Sequence, residues 1–143
     1  MLVKQLSIFV ENKFGRLGAV LKILTDNEIN IRALSLADTT DFGILRLVVN
    51  KPELAEGILK ANGFTVKCTS VIAAAAEDHP GGLFGVIDAL RQNGITIEYS
   101  YGCIGEVDGL GIVILYVDQP EEAVSALLKS GVTIFDAEKL YEI

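Results

Sequence analysis

The chain repeats itself. Glu11, Gly15 and Leu17 return as Glu77, Gly81 and Leu83, an offset of 66. At the same spacing Val20, Leu24, Asn27, Ile29 and Ile31 fall on Val86, Leu90, Asn93, Ile95 and Ile97. Two inserted residues then move the offset to 68, and Gly43, Leu47, Pro52, Ala55, Leu59 and Gly63 meet Gly111, Leu115, Pro120, Ala123, Leu127 and Gly131. Glycines, prolines and periodic apolar positions are what a shared backbone requires, so the chain reads as two copies of one fold. The copies are expected at 1–69 and 70–143, with only Thr69-Ser70 between them and no linker.

Within a copy the pattern reads strand, helix, strand, strand, helix, strand. Residues 5–10 are short and apolar, as a central strand should be. Leu17, Val20, Leu21 and Leu24 then recur at helical spacing on one face. Asn27, and Asn93-Gly94 in the second copy, end that helix. Residues 29–37 and 44–49 read as strands around a polar turn at residues 37–41. Asn50 is placed to cap the next helix, with Glu53 reaching back to it, and Asp118 and Glu121 repeat the arrangement. Leu54, Ile58 and Ala61 are its expected buried stripe. Residues 64–68 read as the fourth strand of copy one, 71–76 as the first of copy two, and a last strand is expected around residues 139–141. The order βαββαβ closes as an antiparallel four-stranded sheet with both helices on one face, so the fold class is α+β with two tandem ferredoxin-like units. Tyr99 and Tyr101 alternate with Ser100 and so share a sheet face.

Half the residues are hydrophobic and 22% are charged, which suits a packed core rather than disorder. For so short a chain this is surplus apolar surface, and it points to a buried subunit interface, hence a homodimer or higher homo-oligomer. The net charge of −7 leaves no basic stripe for nucleic acid and no attraction to an anionic membrane. Cys68 and Cys103 are isolated, without metal-like spacing, and read as buried or half-buried free thiols. With neither a leader peptide nor an apolar run long enough to span a bilayer, the expected location is the cytoplasm. No cofactor is expected.

The loops that follow the first strand of each copy carry the chemistry: Asn12-Lys13-Phe14-Gly15-Arg16-Leu17 and Asp78-His79-Pro80-Gly81-Gly82-Leu83. Each opens onto a helix, where unpaired N–H groups and the positive end of the helix dipole suit a small anion such as an amino-acid carboxylate. Lys13 and Arg16 can add a clamp. His79 is the only histidine and has no second ligand type beside it, so a metal site is not expected.

These units, on the residues Asn12, Gly15, Leu17 and Ile29-Asn30-Ile31, and Pro80-Gly81, Leu83 and Ile95-Thr96-Ile97, resemble ACT domains, the amino-acid-sensing modules of many metabolic enzymes. The resemblance covers essentially the whole chain. It implies a ligand at an interface between units, its carboxylate on the backbone amides of the loop after the first strand. It further implies that Asn12 and Asn30 hold the remaining polar groups of the first site, and that Gly15 allows close approach. Phe14 departs from the proline that commonly precedes the glycine. Asp78 and Thr96 replace the paired asparagines in copy two, and Asp78 suits an ammonium better than a carboxylate, so the first site is expected to be the stronger.

Three functions compete on these grounds. A non-catalytic amino-acid-binding regulator, acting on a separate metabolic enzyme or through its own oligomeric state, fits the duplicated loops. A ligand-free interaction subunit keeps the fold and leaves the loops empty. A phosphatase would need Arg16 and Asn12 around a phosphate, but no nucleophile set and no Gly-rich phosphate loop accompanies them.

Overall fold

The computed structural model describes residues 1–38 and 41–142. The polar turn expected at residues 37–41 therefore lies partly outside the described residues, at Thr39 and Thr40. The elements are β1 (Val3–Glu11), α1 (Arg16–Asp26), β2 (Ile31–Asp38), β3 (Phe42–Val49), α2 (Pro52–Ala61), β4 (Thr65–Glu77), α3 (Gly82–Gln92), β5 (Ile97–Val107), β6 (Leu110–Val117), α4 (Pro120–Lys129), β7 (Ile134–Phe135) and α5 (Ala137–Tyr141). They divide into a first unit, Lys4–Thr69, and a second, Ser70–Ile143 with Met1–Val3.

In the first unit β3 lies antiparallel between β1 and β2, with Leu6 and Leu34 both opposite Leu47 and Ile8 and Leu36 opposite Leu45. β1 also pairs with β4. Side chains alternate across a strand, so Leu6, Ile8, Val10, Leu45, Leu47 and Val49 share a face. Val20 and Leu24 of α1 and Ala55 and Leu59 of α2 pack on it. Each large aliphatic side chain buried this way contributes roughly 1.5–3 kcal/mol.

In the second unit β6 lies antiparallel between β5 and β4, and β4 pairs on with β7. Ile72, Ala74, Val113, Leu115 and Val117 form the face on which Val86, Leu90, Ala123 and Leu127 of the helices pack. Tyr99 and Tyr101 do share a face, with ring centroids 6.5 Å apart, and Tyr116 stacks on Tyr99 at 4.8 Å.

Several expectations need correcting. Two separate four-stranded sheets are not formed: the strands expected at 64–68 and 71–76 run together as the single thirteen-residue strand β4, which starts at Thr65 and leaves Phe64 outside it. Thr69 and Ser70 carry no glycine or proline to break it. No strand forms around residues 139–141. Asp136 Oδ1 accepts from Lys139 N–H at 3.2 Å and starts the helix α5 instead, an N-cap the sequence reading passed over. The buried stripe of α2 is Ala55 and Leu59, behind Pro52, while Leu54 is half exposed. Nor does Asn50 cap α2, whose N-cap is Lys51 without a side-chain bond. Asn50 Oδ1 accepts from Asn30 N–H at 2.9 Å, and Asp118 Oδ1 from Thr96 N–H at 3.0 Å. In both units this residue ties the start of one strand to the end of its neighbour.

Candidate functional site

The loop after β1 turns tightly because Gly15 adopts φ 83°, the left-handed region open to glycine. Gly81 does the same at φ 91°. Each is the N-cap of its helix and offers no side chain to cap it. Some loop amides are consumed locally: Lys13 N–H donates to Glu11 O at 2.8 Å, Arg16 N–H to Lys13 O at 3.3 Å, His79 N–H to Glu77 O and Gly82 N–H to His79 O, both at 3.0 Å. The N–H groups of Gly15 and Leu17, and of Gly81 and Leu83, have no acceptor among the described residues. Uncapped helix starts of this kind carry partial positive charge.

A cavity opens beside each loop. The first has a volume of about 280 Å³ and is lined by Glu11, Asn12, Lys13, Leu17, Asp38 and Gly43, among others. The second, about 860 Å³, is lined by Glu77, Asp78, His79, Leu83, Glu106 and Gly111, with Ser100 and Tyr101. Glu11, Asn12, Lys13, Leu17 and Gly43 are the repeat equivalents of Glu77, Asp78, His79, Leu83 and Gly111. The repeat therefore extends to the hollows as well as to the core.

The cavity walls carry matching charge pairs. Lys13 Nζ lies 3.0 Å from Glu11 Oε2, and His79 Nε2 contacts Glu77 Oε2. His79 Nδ1 is 2.9 Å from Pro80 O. With an acceptor at each ring nitrogen, the imidazolium satisfies both and neutral imidazole only one. The Pro80 carbonyl first, and the Glu77 carboxylate second, raise His79 above its ordinary value. Lys13 lowers Glu11, by hydrogen bond and by charge.

The expected site residues are not all brought together. Asn12 reaches its cavity, but its Nδ2 already donates to Asp38 Oδ1 at 3.3 Å. Asn30 and Thr96 lie elsewhere in their units. Glu11 pairs with Phe42 at one end of β3, whereas Ile31 pairs with Val49 at the other. Eight residues of β3 at about 3.3 Å each separate Asn12 from Asn30 by more than roughly 20 Å. Phe14 projects fully into solvent. Arg16 turns away from the first cavity: its guanidinium carbon stands 4.7 Å from the Phe64 ring centroid, and its Nε is buried without a partner. Glu11, Asp38, Glu77 and Glu106 were missed as wall residues, although the matched Glu11 and Glu77 were visible in the repeat.

No three His, Cys, Asp or Glu among the described residues are grouped to hold a metal. Cys103 is half-buried and pushed up to about 12 by that burial; Cys68 is exposed, against the expected buried or half-buried thiol, and is raised by partial desolvation and then by the Glu56 charge. Both thiols are thus poor nucleophiles. No helix of the described residues is long and apolar enough to cross a membrane.

Two α+β units with equivalent cavities at glycine-capped helix starts have the build of a duplicated ligand-binding module. Comparison with family models matches residues 1–143 to the ACT domain pair; the chain belongs to that family, whose domains are regulatory, ligand-binding modules. A protein of known crystal structure from Bacteroides thetaiotaomicron is 36% identical, with a TM-score of 0.93 over 100% of this chain and 98% of that one. The ligand-free regulatory subunit of aspartate kinase from Thermus thermophilus is 14% identical, with a TM-score of 0.64 over 89% of this chain and 91% of that one. Its counterpart from Thermus flavus is also 14% identical, with a TM-score of 0.59 over 90% and 92%. At such identities the likeness is one of fold. A comparison with curated proteins gave no match. No catalytic family is indicated.

Proposed function

We propose that the chain is a non-catalytic regulatory protein that binds a free amino acid through the loops after β1 and at the end of β4. The observation that carries this reading is the pair of equivalent cavities beside helix starts whose N–H groups at Gly15 and Leu17, and at Gly81 and Leu83, lack acceptors. Those amides suit a carboxylate, and Glu11 or Glu77 on the cavity wall suits the ammonium. Each unit is read as a ferredoxin-like module, in domains 1–69 and 70–143, whose ligand lies at an interface between modules. The protein works in the cytoplasm as a homodimer or higher homo-oligomer and regulates a separate metabolic enzyme. A ligand seated between modules favours one arrangement by its differential affinity, and about 1–3 kcal/mol of such coupling suffices for regulation.

One observation favours the second reading, a ligand-free interaction subunit: Asn12 is already engaged by Asp38. A thermal-shift screen against the twenty amino acids separates the two. The regulator is stabilised by one or a few of them, by roughly 2.7 kcal/mol at 100 times the dissociation constant. The interaction subunit is stabilised by none.

A further inference from the structure

We propose that the two sites sort amino acids by side-chain size: the first takes a small side chain, the second an aromatic one, and Leu36 and Gly102 set the difference. This deepens the functional reading above and rests on it. Strand register makes the two residues equivalent. Leu36 of β2 stands opposite Leu45 of β3, and Gly102 of β5 stands opposite Val113 of β6. Leu45 and Val113 match at the offset of 68. Two steps beyond Leu36, Asp38 faces Gly43, but four steps separate Gly102 from Glu106, which faces Gly111. The two residues inserted in the repeat therefore lie between Gly102 and Glu106, as a bulge on the wall of the second cavity.

In the first unit Leu36 occupies the space. A Cβ on Gly43 would lie 3.2 Å from Leu36 Cδ1, and both residues line the first cavity. In the second unit a Cβ on Gly111 would meet only Ala76 O, at 3.4 Å, and one on Gly102 would meet nothing within 4 Å. One facing pair further along, Leu34 opposite Leu47 gives way to Ser100 opposite Leu115. The second cavity accordingly runs along β5 as far as Ser100, while the first, among the described residues, reaches only Leu36 and Asp38 on β2. The volumes follow, about 860 Å³ against about 280 Å³. Small-molecule pockets span about 300–1,000 Å³, so the first leaves room for little beyond the backbone of an amino acid. The charged wall residues Glu77 and Glu106 have charged counterparts in Glu11 and Asp38, whereas the wall gained at Ser100, Tyr101, Ile112 and Val113 carries no charge. An aromatic ring matches that added wall by its apolar area and by contact with the Tyr101 ring.

The probes are L-alanine and L-phenylalanine, each titrated into the full chain and followed at the backbone amides of Gly15 and Leu17 and of Gly81 and Leu83. L-alanine is expected to move the first pair and L-phenylalanine the second, each loop preferring its own probe by at least about tenfold. The Cβ position of Gly102 is open, so Gly102→Leu should fold with an unchanged melting midpoint. It should weaken L-phenylalanine at Gly81 and Leu83 by at least about tenfold and leave L-alanine at Gly15 and Leu17 as it was. Leu36 is half exposed, so Leu36→Ala should also fold, and it should admit L-phenylalanine to the first loop. Equal preference at the two loops, tighter binding of L-arginine than of L-phenylalanine at the second, or an unchanged L-phenylalanine affinity in Gly102→Leu overturns the size assignment and leaves the functional reading standing. No movement of the four amides with either probe overturns it as well, and the screen of all twenty amino acids then decides whether the functional reading falls with it.

Discussion

Lys13 Nζ lies 3.0 Å from Glu11 Oε2 in the first unit, and the second unit repeats the relationship with a group that titrates, His79 against Glu77. One cavity therefore carries a fixed positive charge on its wall and the other a charge that depends on pH. His79 is raised, so whatever its pairing contributes to stability is complete below the unfolded histidine value, near 6.5. That contribution is lost as pH rises through the folded value. Proton NMR of the single histidine should show it titrating above its ordinary value, and Glu77→Gln should lower it only part of the way, because the Pro80 carbonyl remains.

Glu11 runs the other way. Lys13 lowers it, so its contribution is present above the ordinary carboxylate range and is lost as pH falls through its own lower value. Both members of the pair are well exposed, and salt screens such pairs. Carbon-detected titration of the Glu11 carboxyl should give a low midpoint in the parent chain. In Lys13→Ala the midpoint should move up.

Gly82 and Gly15 differ in why they are glycine. At Gly15 a Cβ meets nothing within 4 Å, and only the left-handed backbone penalises a side chain. Gly15→Ala should therefore cost about 1–2 kcal/mol in chemical denaturation. At Gly82 the clash is with Glu77 O at 1.9 Å, so the loop itself must shift. Gly82→Ala should cost more than Gly15→Ala and should displace the His79 resonances, which Gly15→Ala should leave in place.

Asn50 and Asp118 perform one task with two chemistries, accepting Asn30 N–H and Thr96 N–H through Oδ1. An Asn carbonyl serves as well as a carboxylate for a single amide, so Asp118→Asn should be nearly neutral. Asn50→Ala and Asp118→Ala should each lose about 1 kcal/mol in urea denaturation.

How much of this was readable beforehand depended on what fixes each feature. The repeat was legible because Gly15, Gly81, Pro52 and Pro120 are tied to backbone geometry that both copies share. The run from residue 64 to residue 76 was misdivided because Thr69 and Ser70 are good strand residues, and only topology had suggested a break there. Asn50 was misread because a capping sequence and a strand-tying sequence are the same letters, and the Asn30 amide wins the side chain. Arg16 was placed in the site by proximity along the chain. A helical residue one step on points some 100° around the axis, and Phe64, far away in sequence, decided where the guanidinium lies. The cavity walls at Asp38 and Glu106 come from distant strands whose register no local pattern encodes.

The most direct measurement is a backbone amide NMR titration of the full chain with the amino acid that stabilises it most. The account predicts that the N–H resonances of Gly15 and Leu17, with or without those of Gly81 and Leu83, move together along one saturation curve. Saturable binding that leaves all four of these amides in place, or no saturable binding by any amino acid, would contradict it.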